Sequence, residues 1–316
     1  MTDDAFEAGA AELSRVAALA QRRDTTAGGC RIAWRRWPAR VAAVAPPLVL
    51  LHGGHGSWSH WVRTVEPMSA DRDVWAVDMP GYGDSGDPPV APDDAAMGRW
   101  LAAGLAELGL IDDPRDGAPA GTALDADGPV DPGAREVGTP SPRIDIAGFS
   151  FGGLIAGRLA HDLGGAVRTV VLVGAAGLGI DATARPPMMA WRAATGRGDR
   201  LAMHRHNLNV LMLHAPEAVD GLAVQVQVGN SDRTRVVSKH LSRTARMLDW
   251  LPTLRARVRG IWGEHDVTAT PDLAARRAQV LTAGEGARFE VVPGAGHWVQ
   301  YEAPEAFAAA LRRALA

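Results

Sequence analysis

RIDIAGFSFGGLIAGRLAHDL, residues 143–163, joins an apolar run (Ile144, Ile146, Ala147) to Gly148-Phe149-Ser150-Phe151-Gly152-Gly153. A helical spacing of apolar residues at Leu154, Ile155, Leu159 and Leu163 follows at once. The stretch predicts a strand, a very tight turn and a helix, with Ser150 at the apex. In such a turn the serine takes a strained backbone conformation, and only small residues two positions to either side let strand and helix approach. Gly148 and Gly152 meet that need. Alone the pattern is weak: a chain of 316 residues with 36 Gly produces it by chance roughly once in eight.

Working outward, the turn lies in a series of buried strands that end in glycine-rich loops. Residues 47–51 (PLVLL) are a continuous apolar run ending in His52-Gly53-Gly54-His55-Gly56-Ser57-Trp58, and 74–77 (VWAV) end in DMPGYGDSG at 78–86. A helix is expected over 93–110, then strands over 167–173, 258–262 and 287–292, with helices over 272–281 and 304–315. This alternation argues for an α/β fold with a doubly wound, mostly parallel sheet. Residues 30–37 (CRIAWRRW) alternate as an edge or hairpin strand. Residues 3–19 read as an amphipathic helix, with Leu13, Val16, Ala17 and Leu19 on one face and Arg22 and Arg23 at its C-terminal end.

Two segments break the rhythm. Residues 112–142 hold five Gly, six Pro and seven acidic residues against two Arg, a composition that cannot bury enough surface to offset its ordering entropy; a solvated, flexible surface insertion is expected. Residues 175–250 carry helical patterns only (188–194, 200–214, 218–228, 231–248), as an inserted helical cap would. The core then comprises 1–174 and 251–316.

Composition narrows the class. With 47% hydrophobic and 22% charged residues the chain is that of an ordinary globular protein, and a formal charge of −3 without basic runs gives no reason to expect nucleic acid. The single Cys30 suits a reducing compartment, and neither a secretory signal nor a membrane span is read; a cytoplasmic protein without membrane partners is expected. The oligomeric state is open, with a homodimer as one option. His204 and His206, two apart on a predicted helix, point to different faces, so no metal site is expected.

In a parallel sheet the loops at the strand C-termini share one edge, where ligands bind. A serine there needs a base, and the base needs an orienting carboxylate. His297, in Pro293-Gly294-Ala295-Gly296-His297-Trp298, follows the last strand. Asp266, in Trp262-Gly263-Glu264-His265-Asp266, follows the strand before it, with Glu264 as its rival and His265 as a bystander. The backbone N–H groups of Phe151 and Gly54 are the natural oxyanion donors. His52 is expected to brace the oxyanion loop, as are Asp84 and Ser85 in the next loop. His55, Phe149 and Trp298 are candidates for substrate contact.

These pieces in this order, LHGGHGSW (51–58), DMPGYGDS (78–85), GFSFGG (148–153), WGEHD (262–266) and PGAGHWVQYEAPEAF (293–307), resemble an α/β-hydrolase. The resemblance implies the α/β-hydrolase fold, no cofactor, and a helical cap where 175–250 stand. It implies a serine hydrolase acting on a small-molecule carbonyl substrate, a carboxylic ester first. The segment GHWVQYEAP also resembles that of meta-cleavage-product hydrolases, which split carbon–carbon bonds, and this is the alternative activity. In that subfamily Asn usually stands at Phe149 and Pro at His55. A catalytically silent ligand-binding relative is the alternative of another class.

Overall fold

Period-two alternation in the apolar strands sends their side chains to two separate cores. The computed structural model describes residues 3–43, 45–113, 144–179, 187–269 and 271–316. Their strands are β1 (Gln21–Ala27), β2 (Cys30–Trp37), β3 (Leu48–Leu51), β4 (Val74–Asp78), β5 (Ile144–Phe149), β6 (Val167–Val173), β7 (Arg257–Gly263) and β8 (Arg288–Val292). They form one sheet in the order β1-β2-β4-β3-β5-β6-β7-β8. β1 and β2 pair antiparallel, as do β2 and β4; all other neighbours are parallel. Val49, Leu51, Ile144, Ile146, Val170 and Leu172 face one core, and Leu48, Leu50, Ala147, Phe149, Val171 and Val173 face the other.

Helices cover both faces. α1 is Asp3–Ala18, α2 Asp94–Glu107, α3 Phe151–Leu163, α4 Arg197–Leu211, α5 Gly221–Asp232, α6 Leu273–Leu281 and α7 Pro304–Leu315. α2 and α3 bury Leu101, Leu105, Leu154 and Leu159 in the first core, while α7 buries Phe307 and Leu311 in the second. Asp93 and Asp272 accept a hydrogen bond from the N–H three residues on and so cap α2 and α6.

The edges of the expectations moved. β1 was not expected: its QRRDTTA sequence has only Thr25 buried, and it forms a hairpin with β2. Arg22 and Arg23 therefore lie in a strand rather than at a helix end, and Leu19, past the helix, is exposed. α1 packs on α5, where Gly9 and Gly221 allow near contact of backbones; a Cβ on Gly221 would stand 1.8 Å from the Ala5 carbonyl oxygen.

Between β6 and β7 the described residues carry α4, α5 and the short helices Lys239–Ser242 and Met247–Trp250. The expected helix over 231–248 is interrupted because the Arg235 N–H bonds to the Gly81 carbonyl and its guanidinium to the Gly83 carbonyl at 3.4 Å and to that of Ser85. The expected helix over 188–194 reduces to one 3-10 turn, Trp191–Ala193; Asn207 instead holds the Met189 backbone N–H and C=O with its side-chain amide. His204 is buried against the Trp191 ring, and burial, followed by the Arg200 charge, pushes it down to about 4. The insertion expected at 112–142 lies, from residue 114 on, outside the described residues. Among the described residues no helix is long and apolar enough to cross a membrane.

Candidate active site

β5 delivers Ser150 into a turn that only a tightly supported backbone holds. Its φ is 51° and its ψ −115°, a conformation that favours glycine and costs a non-glycine residue about 1–2 kcal/mol. Three main-chain bonds offset that cost: Ser150 N–H donates to Val173 C=O, and Ser150 C=O accepts from Gly153 and Ala176 N–H, each at 2.9 Å. The flanking glycines act as the sequence implied. A Cβ on Gly148 would stand 2.2 Å from the Gly152 carbonyl oxygen, and one on Gly152 would stand 2.4 Å from those of Leu51 and His52.

The loops after β7 and β8 bring Asp266 and His297 together. His297 Nδ1 lies 2.9 Å from Asp266 Oδ2, and both side chains are buried. The Thr268 N–H donates to Asp266 Oδ1 at 2.8 Å, and Thr268 Oγ1 lies 3.2 Å from His297 Nδ1. Burial alone would raise the Asp266 carboxyl; the charge and hydrogen bond of His297, together with the Thr268 groups, outweigh it and hold the carboxyl below its ordinary range. Glu264 is excluded as the partner of His297, since it is half exposed and accepts the Gly294 N–H at 2.9 Å. His265 stacks on His214 outside the pair, with ring centroids 3.7 Å apart.

Gly174, just past β6, is the close neighbour of that pair. Its φ is +49°, and a Cβ there would stand 3.1 Å from Asp266 Oδ2 and from His297 Nδ1. Gly174→Ala is expected to combine backbone strain with a push of a few tenths of an ångström on the imidazole. Misplacement of this kind costs about 10–100-fold in turnover. Turnover kinetics beside a thermal melt check it: the rate should fall far more than a loss of a few degrees in Tm explains.

The loop after β3 is held by two buried imidazoles. His52 donates from Nδ1 to Gly53 C=O at 2.8 Å and accepts the Met79 N–H on Nε2 at 3.0 Å, so it is neutral and braces the loop. His60 Nδ1 accepts the Gly53 N–H at 3.2 Å between the rings of Phe149 and Trp298, and burial holds it well below the usual histidine range. With Gly53 so occupied, the N–H groups of Gly54 and Phe151 are left without a hydrogen-bond partner among the described residues. His55 carries a φ of 52°, a second strained non-glycine residue in the site. Asp84 and Ser85 are bracing residues: Asp84 pairs with Arg35 and Arg233, and Ser85 Oγ bonds the Asp78 carbonyl and accepts the Ala33 N–H.

Ser150, His297, Gly54, Thr268 and Gly174 line one cavity of about 480 Å³, together with residues from the segment between β6 and β7. His55 and Phe149 are on its wall. Trp298 is not: fully buried, it donates from Nε1 to His60 C=O at 2.9 Å and stacks on Tyr301. This corrects the expected substrate contact to a role in the core. Gly174, Thr268 and His60 went unread in the sequence. Only Thr268 left a signal, an Asp followed two residues later by Thr, the spacing of a side-chain-to-backbone turn.

Known proteins resemble the chain over most of its length. A curated relative from Pseudomonas putida, the dihydrolipoyllysine-residue acetyltransferase component of an acetoin-cleaving system, is 26% identical over 282 residues, 85% of this chain. The chain spans 63% of the length of that relative. Among solved structures, an esterase from a Rhodococcus species matches 93% of this chain and 98% of its own, at 23% identity and a TM-score of 0.67. The enol-lactonase from Burkholderia xenovorans matches 93% and 99%, at 20% identity and a TM-score of 0.67. The model of the alpha/beta hydrolase family matches residues 48–310, a span that takes in every element carrying the serine turn and the loops around it; the chain belongs to that family.

Proposed function

We propose that the protein hydrolyses a small carboxylic ester through Ser150, His297 and Asp266. The observation that carries this reading is the buried 2.9 Å contact between His297 Nδ1 and Asp266 Oδ2 on a cavity shared with a strained Ser150. Asp266, held ionised, keeps the His297 proton on Nδ1 and leaves Nε2 free to accept one. His297 takes the Ser150 proton as Oγ attacks the ester carbonyl. The Gly54 and Phe151 N–H groups receive the charge that develops on the carbonyl oxygen. Collapse expels the alcohol, protonated by the imidazolium, and leaves an acyl group on Ser150. His297 then activates a water that releases the acid.

The inserted helices serve as a cap that shapes the small-molecule site, with Met188, Val210, Leu211 and Met212 forming an apolar wall for a medium-sized chain. A fluorophosphonate probe tests the proposal: labelling of the wild type that maps to Ser150, with turnover of p-nitrophenyl esters, is expected. An unlabelled protein would make the chain a silent ligand-binding homologue, and much faster turnover of a ring-fission dienoate than of esters would overturn the choice of ester.

A further inference from the structure

The cavity has a second chemistry on its wall. Its lining residues include Lys239 and Arg243 and no Asp or Glu. The other cations of residues 187–250 that contact a partner are spoken for. Arg200 pairs with Asp232, Arg233 with Asp84, Arg235 with Asp87 and Arg246 with Asp94, while Arg205 donates to the Val219 carbonyl. The Lys239 ammonium and the Arg243 guanidinium make no hydrogen bond or ion pair among the described residues. They stand four apart along one short helical stretch, where like charges repel. In a protein of formal charge −3, two like charges thus stand without an acidic partner among the described residues at the cavity that holds Ser150.

We infer that the substrate is an ester carrying a carboxylate at the end remote from the scissile bond, and that Lys239 and Arg243 bind that carboxylate. This rests on the ester-hydrolase site proposed above. The lining offers both kinds of surface: Met188, Leu211 and Val237 suit an apolar chain, and the two cations and the Ser238 hydroxyl suit its charged end. Ser238 is buried and its Oγ reaches over Gly54, 2.7 Å from where a Cβ would stand, so the polar strip runs up to the oxyanion loop. Ser242 does not add a donor, because its hydroxyl is spent on the Ser238 carbonyl at 3.0 Å. A half-ester of a dicarboxylic acid offers a partner to both kinds of lining.

The test separates binding from chemistry. Ser150→Ala protein, titrated calorimetrically with monomethyl adipate and with dimethyl adipate, is expected to bind the monoanion about tenfold more tightly at low salt, as two partly screened ion pairs would provide. The preference should shrink in 0.5 M NaCl and vanish when Lys239→Gln and Arg243→Gln are added, while His240→Gln, off the cavity wall, retains it. Equal affinities, or tighter binding of the diester, overturn the inference, as does a preference that survives the double substitution. In the wild type, the p-nitrophenyl half-ester of adipic acid should exceed its neutral methyl diester in kcat/KM by a similar factor. If neither is turned over and Ser150 takes no fluorophosphonate, the hydrolase reading falls, and the calorimetric ratio still decides whether the carboxylate site stands.

Discussion

Ser150→Ala is expected to lower kcat by about 10⁶-fold, leaving the residual rate that oxyanion donors and binding supply on their own. The fold should hardly register the change. The Ser150 side chain makes no capping bond to α3, its main-chain bonds use only N–H and C=O, and alanine keeps the Cβ that the turn already accommodates. A thermal melt should therefore coincide with that of the wild type within a degree or two. Ser150→Gly should be equally inactive yet more stable by about 1 kcal/mol, because it releases the strain of a positive φ without losing a contact. A glycine variant that melts lower than the alanine variant would show that the turn is not strained.

Asp266→Asn is expected to cost about 10⁴-fold in kcat with little change in KM. The direction follows from the neighbours rather than from lost charge alone. The Thr268 N–H donates to Oδ1 at 2.8 Å, so an asparagine keeps its carbonyl oxygen there and turns its amide NH₂ to the position of Oδ2, facing His297 Nδ1. Two donors cannot share that contact. The imidazole must carry its proton on Nε2, which faces away from Nδ1 and is then unable to take one from Ser150. The pH–rate profile and single-turnover kinetics check this. A loss below tenfold would remove Asp266 from the proposed role.

The legible part of this protein is the part where one residue type has one physical reason. Gly148 and Gly152 could be read because any Cβ there meets a carbonyl within 2.4 Å, and the apolar runs at β3 to β6 because strands buried on both faces are mostly apolar along their length. β1 was illegible for the opposite reason: it is an edge strand with one buried residue, held by backbone pairing that no side chain announces. The break in the helix over 231–248 was hidden because it depends on carbonyls of residues 81–85, some 150 positions away. The same holds within the site. Ser150, Asp266 and His297 carry chemistry that points to their partners, whereas Gly174 matters through where a Cβ falls, which only the folded chain states.

The contact of α1 with α5 has a consequence for the order in which the chain is made. α1 packs through Gly9 on a helix that begins at Gly221, so its partner leaves the ribosome about 200 residues later, an interval of roughly 10–40 s at ordinary rates of synthesis. A 16-residue helix without that partner is only marginally formed in water. α1 is therefore made well before the helix on which it docks, and it finds its place late.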